Sequence, residues 1–396
     1  MVTMTDPNRC RGPLDDVRVV DLTTSLGAYT GRLLSDLGAE VIRVEPVTER
    51  PERHRPPLSQ SGLSLNWAFM EAGKRIVSEA DVDVASVIGT ADLLLTSEGP
   101  AALSARGLHP GDTTQRNPAL VHVSISPYGL TGPYADRPAS DLTLLAAGGL
   151  LALAGDPDRE PVRAWGDQTA VIAGTHAATA ALIALLSLES TGRGQVVDLS
   201  AQEAVAHSLE NAVQYLDLEG SVRRRAGAGP VEAGTGLFRC ADGWVYLVGG
   251  LGGRPLAWPA LVNWLLDQGI AEAETLLGPQ WQERSWRRSS EASRIFRSIF
   301  ERAARSGTKQ ELYEAGQSRG VSIAPVATPA DLLASPQLTE RGFFVPISVD
   351  GEQLLCPGPP YRFAGAPVGP RSGEPAVAAG AEPRRSGTPE HERTRA

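Results

Sequence analysis

Cysteine is scarce in this chain: Cys10, Cys240 and Cys356 are the only three among 396 residues. They form no C-x-x-C pair, and His and Cys never cluster at metal-ligand spacing, which excludes a zinc module and a disulfide scaffold. A cytosolic protein with neither metal nor structural disulfide is the plain reading. A basic excess is also missing. Lys and Arg total 37 against 46 Asp and Glu, a net charge of −9, so nucleic acid is not the expected main partner. A nucleotide-like ligand stays open, because one pocket needs only a few local cations. The opening MVTMTDPNRCRGP has no apolar core segment, so no signal peptide is expected. The longest apolar run, Ala170 to Leu186, is broken by Thr175, His176 and Thr179 and is rich in alanine rather than leucine. It reads as a buried helix, not a membrane span.

What is present is the composition of a globular protein, 42% apolar and 21% charged, at a length that suggests about two domains. Residues 1–13 read as a loose leader. Val17 to Leu22 is a β-branched run suited to a buried strand. A Gly-containing turn, a helix from Tyr29 to Leu37 stopped by Gly38, and a strand from Glu40 to Glu45 complete a βαβ unit and imply a parallel sheet. Ala91 to Leu95, Leu120 to Ile125 and Val196 to Leu199 read as further strands. The Ala170 to Leu188 helix leads into the last of these through Thr191-Gly192-Arg193-Gly194. From residue 226 the character changes to a Gly-rich stretch, a hairpin from Leu237 to Leu247 turning at Asp242-Gly243, and helices carrying four tryptophans. Residues 226–321 read as a second, smaller domain, and 371–396 as a disordered tail.

Several blocks in order carry a resemblance: LLSDLGAEVIRVEP (Leu33 to Pro46), GKR (Gly73 to Arg75), SISPYGLTGPYADRPASD (Ser124 to Asp141), TGRGQVVDLS (Thr191 to Ser200), the CADGWVYL hairpin and GVSIAPVATPADLLASPQLTERGFF (Gly320 to Phe344). Together they resemble the family III CoA-transferases. The resemblance implies an α/β fold: a Rossmann-like large domain from both chain ends, here 14–225 and 322–370, with the smaller domain inserted. It also implies an interlocked dimer, formed with a second copy or with a homologue, and coenzyme A or acyl-CoA as substrate with a carboxylic acid as the other small molecule. Neither metal, membrane nor nucleic acid is implied.

In the family scheme an Asp carboxylate attacks the acyl thioester, forming a mixed anhydride and releasing CoA thiolate. That Asp lies four residues before a helical glycine. Here the glycine is Gly174 and the position holds Ala170, which cannot attack. Two acids could substitute. Asp167, about one turn earlier, has the competing role of N-cap to the apolar helix. Asp141 matches a position where the resemblance implies an active-site acid, and its competing role is to cap the helix that it opens. His176 reads as a packed, hydrogen-bonded core histidine, and Cys240 as a hairpin interior residue. For CoA, the resemblance points to Gly27 as a close-approach position, to Lys74 and Arg75 as phosphate contacts, and to Arg106 as a displaced basic residue. The turn after the third strand expected in the family is altered at Ser97, Glu98 and Gly99. Gly249 to Gly253 is either a loop that closes over the site or a linker.

Four readings follow: an active transferase with a relocated nucleophile or an altered mechanism, a non-catalytic subunit whose homologous partner supplies the aspartate, an acyl-CoA racemase, or a binding or scaffold protein with no CoA ligand, which Glu98 and Gly99 leave open. The racemase is disfavoured, because Ser140 and Ala170 stand where its His and Asp are required.

Overall fold

A computed structural model of the chain describes residues 12–48, 51–225, 227, 232–251, 254–349 and 351–370. The expected tail, and the leader up to residue 11, lie outside these residues. The chain divides into two compact units. One comprises Met1–Leu151, Ala164–Val222 and Gln337–Ala396; the other comprises Ala152–Arg163 and Arg223–Pro336.

The first unit is built on six strands: β1 (Arg18–Asp21), β2 (Glu40–Glu45), β3 (Arg75–Ser78), β4 (Leu93–Thr96), β5 (Val121–Ser126) and β6 (Val196–Ser200). They pair in the order β3-β2-β1-β4-β5-β6, all parallel. The helices of this part of the chain are α1 (Ala28–Asp36), α2 (Leu65–Glu71), α3 (Val84–Gly89), α4 (Pro100–Ala105), α5 (Pro110–Arg116), α6 (Asp141–Ala147), α7 (Leu150–Leu153, half of it in the second unit), α8 (Gln168–Thr191), α9 (Ala201–His207) and α10 (Ala212–Glu219). This is a Rossmann-like α/β arrangement. The strand order reverses between β1 and β4, so the crevice at their carboxyl ends is where such sheets bind ligands. Val19, Val20, Leu93, Leu94 and Leu95 are fully buried, as strands covered on both faces must be.

Helix α8 is 24 residues long with a mean hydropathy of 1.9, apolar enough by length and composition to cross a membrane. Its alanine face packs in the core, with Ala173, Ala177, Ala181 and Ala184 in one cluster with Val121, Val123 and Ile125, while Ile183 and Leu186 on the helix are exposed. Small side chains let it lie close to its neighbours. A Cβ on Gly174 would stand 2.9 Å from Tyr29 Cβ of α1, so glycine is required there by the helix crossing.

The second unit has an antiparallel sheet, β7 (Thr235–Cys240), β8 (Gly243–Val248) and β11 (Ile323–Pro325), in the order β11-β8-β7, and a two-residue ladder of β9 (Gly250–Leu251) with β10 (Arg254–Pro255). Helices α11 (Trp258–Asp267), α12 (Arg284–Arg287), α13 (Ser290–Ala304) and α14 (Lys309–Gln317) complete it. Trp258, Trp264, Trp281, Phe238, Phe296 and Phe300 fill its core together with buried Cys240. Two boundaries differ from the sequence reading. Strand β11 pairs with β8 and buries Ile323, so the return to the first unit comes after Pro336 rather than at 322. Residues 152–163 also belong to the second unit. The hairpin turns at Ala241-Asp242, one residue earlier than expected, because Cys240 pairs directly with Gly243. Of the glycine loop 249–253, residues 252 and 253 lie outside the described residues.

A buried histidine ties β4, β5 and α5 together. His122 Nδ1 lies 2.7 Å from Thr113 Oγ1 and Nε2 lies 3.0 Å from Thr96 Oγ1. The Thr113 hydroxyl donates to Pro110 O at 3.0 Å, so it accepts from His122 Nδ1–H, and Thr96 donates to Nε2. A second ring proton would require the Thr96 hydroxyl to turn from donor to acceptor and would place a charge in the interior. Burial, with a smaller contribution from His109, pushes the imidazole down from 6.5 to about 4. The sign is that of a depressed base: its contribution to stability is complete above pH 6.5 and is lost as pH falls toward 4. At roughly 1.4 kcal/mol per unit the loss amounts to about 3 kcal/mol. Urea unfolding of the wild type should show it between pH 6.5 and 4, and His122→Asn should flatten that slope. An unchanged slope would mean that another group carries the acid sensitivity.

Candidate active site

The carboxyl ends of β1, β4 and β5 open onto a cleft of about 520 Å³. The loop after β1 contributes Thr24, Ser25 and Leu26, the loop after β4 contributes Ser97 and Gly99, and the segment before α6 runs along it from Ala135 to Ser140. The first turn of α8 brings in Thr169 and Ala170. Ser97 Oγ accepts from Thr24 N at 2.6 Å, which joins the two loops across the point where strand order reverses. Ala170 is 5% exposed and lines the cleft, so the position to which the resemblance assigns the nucleophile faces the cavity with a methyl group.

Both candidate acids also line this cleft, but in different electrostatic states. The side chain of Asp167 does not cap α8. Its two oxygens accept a bidentate pair of bonds from Arg55, Nη1 to Oδ2 at 2.8 Å and Nη2 to Oδ1 at 2.9 Å, and Asn66 Nδ2 of α2 lies 3.3 Å from Oδ2. The carboxylate is 9% exposed while Arg55 remains 51% exposed. The hydrogen bonds to Asp167, and then its charge, raise the Arg55 pKa, with a smaller push from Asp141 nearby. Arg55 precedes Pro56, which restricts its backbone to extended conformations.

Asp141 supplies the cap that Asp167 does not. Its Oδ1 accepts from Thr169 N at 2.8 Å, whereas its own helix, α6, is capped by Ser140 in a reciprocal arrangement with Thr143. The expectation that Asp141 caps the helix it opens is thus corrected: one carboxylate serves the N-terminus of another helix, where the macrodipole favours its charge. Its second oxygen, Oδ2, is buried with no hydrogen-bond partner among the described residues. His176 is half-buried, with its ring set edge-on to exposed His207 at a centroid distance of 5.3 Å; it is not the hydrogen-bonded core histidine expected.

The residues expected to hold CoA do not converge. Lys74 is fully buried, and its ammonium lies 2.9 Å from Asp21 Oδ2, 2.8 Å from Ala28 O and 2.8 Å from Glu71 Oε2. It donates to Asp21 and Ala28 and is ion-paired with Glu71, and with its side chain fully enclosed it presents nothing to a phosphate. Arg43 completes the group by donating to Asp21 Oδ1 at 2.9 Å. Burial pushes the Asp21 carboxyl up, but Lys74 and Arg43 outweigh it and hold the group well below the usual carboxylate range. Arg75 begins β3, at the end of the strand opposite the crevice. Gly27 precedes α1; its absent Cβ would stand 2.6 Å from Thr23 Cγ2 and 3.2 Å from Ile125 Cδ1, so the close approach is to the protein's own core rather than to a ligand. Arg106 lines a second cleft, of about 400 Å³, together with Glu52, Glu79 and Glu98. It ion-pairs with Glu98 and lies 3.4 Å from Glu79 Oε1, an acidic setting for a phosphate.

The model of CoA-transferase family III matches residues 14–381. The chain belongs to this family. It is 40% identical over 359 residues to the succinyl-CoA:(R)-benzylsuccinate CoA-transferase subunit BbsE of Thauera aromatica, covering 87% of each chain. It is 29% identical over 338 residues to the succinyl-CoA–D-citramalate CoA-transferase of Chloroflexus aurantiacus, covering 83% of this chain and 82% of that one. A CAIB/BAIF family protein from Brucella suis has the same fold, with a TM-score of 0.80 at 26% identity over 93% of this chain and 97% of that one.

Within this family member, Arg55, Asn66 and Arg137 went unnoticed in the sequence. Arg55 meets Asp167 across 112 residues, and no local pattern marks such a pair. Lys74 drew attention as part of GKR, yet the strand that begins at Arg75 shows that the motif closes a helix-to-strand turn.

Proposed function

We propose that this chain is a subunit of a CoA-transferase that moves CoA between carboxylic acids, and that a homologous partner chain supplies the nucleophilic aspartate. One observation carries this reading: Ala170 lines the cleft at the position where the family scheme needs a carboxylate. The nearer substitute is committed elsewhere, since both Asp167 oxygens are held in a bidentate guanidinium pair, which lowers their readiness to attack a thioester carbon. The most similar relative named above is itself a subunit of a CoA-transferase, which supports the heteromeric reading. Exposed apolar residues on α8 (Ile183, Leu186) and α10 (Val213, Leu216, Leu218) are the kind of surface that a partner chain covers.

A second reading has Asp141 as the relocated nucleophile, favoured by its buried Oδ2, which has no hydrogen-bond partner among the described residues. In that case Oδ2 attacks the thioester carbonyl carbon, the C–S bond breaks, CoA leaves as thiolate and a mixed anhydride remains. Trapping separates the two readings. The purified chain, incubated with succinyl-CoA and quenched with hydroxylamine or borohydride, is expected to carry no modified carboxylate by peptide mass mapping. A mixture with a homologue that retains the aspartate should be labelled on the homologue. Labelling of Asp141 in the isolated chain, abolished in a folded Asp141→Ala variant, would replace the subunit reading with the second one.

A further inference from the structure

Helices α8 and α9 bring together two histidines that no spacing along the chain pairs. His176 is half-buried on α8, His207 is exposed in the last turn of α9, and their ring centres lie 5.3 Å apart with the planes at 86°. A neutral imidazole keeps one nitrogen lone pair, and no hydrogen bond from another described residue occupies it on either ring. Two imidazoles bound through nitrogen to one tetrahedral ion, at about 2.0–2.1 Å each, have ring centres roughly 5 Å apart. The observed separation already matches, so rotation of the rings is enough and neither helix has to move. Glu203 stands one turn before His207, at the spacing that puts two side chains on one face of a helix, and it is exposed. The only Asp, Glu, Lys or Arg residues of α8, α9 and α10 are Glu189, Glu203, Asp217 and Glu219. No lysine or arginine of these helices therefore competes for Glu203 or repels a bound cation, and the carbonyl end of α9 beside His207 also favours positive charge.

We propose that His176 and His207, completed by Glu203, form a surface site for a divalent transition ion such as zinc or nickel, which ties α9 to α8. Imidazole nitrogen suits these ions, whereas magnesium and calcium take oxygen donors. No three His, Cys, Asp or Glu side chains are gathered to hold a metal among the described residues. The third ligand is therefore brought in on binding, by rotation of the exposed Glu203 side chain, and water completes the coordination. None of the three residues lines either cleft, so the site stands apart from the transferase reading and does not depend on it. A metal module written in the sequence was excluded by spacing; this pair is made by the packing of α8 on α9.

Calorimetric titration of the chelator-stripped full chain with zinc, nickel and magnesium chlorides reads the site directly. One zinc or nickel ion per chain should bind in the micromolar range, and magnesium should not bind. His176→Ala and His207→Ala should each weaken zinc binding by more than about 100-fold, since losing a ligand exceeds the 10–100-fold typical of losing its outer partner. Glu203→Gln should cost about tenfold. The thermal midpoint of the wild type should rise with zinc concentration, because the ion binds the folded chain, and that of either histidine variant should not. Circular dichroism checks folding, and His176→Gln and His207→Gln serve if an alanine variant fails to fold. His54→Ala, at an exposed histidine in the loop before α2, should leave zinc affinity unchanged. Weak binding lowered equally by His54→Ala and His176→Ala would mean adventitious ions only and would overturn the proposal. So would the absence of saturable zinc binding at millimolar concentration. An affinity unchanged in Glu203→Gln would overturn the carboxylate as third ligand.

Discussion

Ala170→Asp should turn the isolated chain into one that takes up an acyl group, with the label at position 170 and uptake increased on the order of 10³-fold or more over the unmodified chain. The position faces the cleft in the first turn of a 24-residue helix, where the backbone dipole favours an ionised carboxylate. Position 170 lacks an oxygen nucleophile, and the substitution supplies one without filling the cavity. Asp141 and Arg55 already surround the site, so the new charge has a cation within the same cleft. The check is stoichiometric labelling with radiolabelled succinyl-CoA followed by peptide mapping, together with circular dichroism to confirm folding. A folded variant that takes up no acyl group would remove the cleft at α8 as the transfer site in this chain.

Lys74→Ala should destabilise the protein by about 3–5 kcal/mol, the usual cost of leaving a buried charge without its partner. Asp21, Arg43, Glu71 and Lys74 form a neutral group of two acids and two bases, with side chains at most 3% exposed. Removing the ammonium leaves Asp21 and Glu71 facing one arginine in the interior. Asp21→Asn should cost a similar amount, and the double variant Asp21→Asn with Lys74→Met much less than the sum, since each change relieves the other's unpaired charge. Because the folded-state pKa of Asp21 is depressed, its share of stability is present above pH 3.8 and lost in stronger acid. Urea midpoints for the four proteins measure the coupling. If Lys74→Ala instead kept full stability and lost CoA affinity, the ammonium would be a ligand contact after all.

The fold was largely legible from local pattern. The β-branched runs at Val17 to Leu22 and Glu40 to Glu45 and the apolar strands that follow them became β1, β2, β4, β5 and β6 within a residue or two; for β1 and β4 the reason is that strands buried on both faces need apolar side chains whatever their neighbours. β3 was missed for the converse reason. Only Ile76 and Val77 of RIVS are apolar, and the Lys74-Arg75 pair at its start suggested chemistry rather than a strand end.

The candidate site divides along the same line. The sequence alone determined that Ala170 occupies the expected nucleophile position, that Ser97, Glu98 and Gly99 replace the family's turn, and that Asp141 and Asp167 are the acids to consider, since each of these is a matter of residue identity at a position. Which acid is tied, and which has an oxygen without a partner among the described residues, was decided only by tertiary structure. Arg55 reaches Asp167 from 112 residues away, and Asp141 caps a helix 28 residues downstream rather than its own. Lys74 and Arg106 show the same dependence. The Lys74 of the Gly-Lys-Arg turn, expected as a phosphate contact, is enclosed once the chain is folded by Asp21, Glu71 and the Ala28 carbonyl. Charge partners are set by contacts between distant segments, and no spacing along the chain encodes them; helix and strand periodicity is set by neighbours, and the sequence displays it directly.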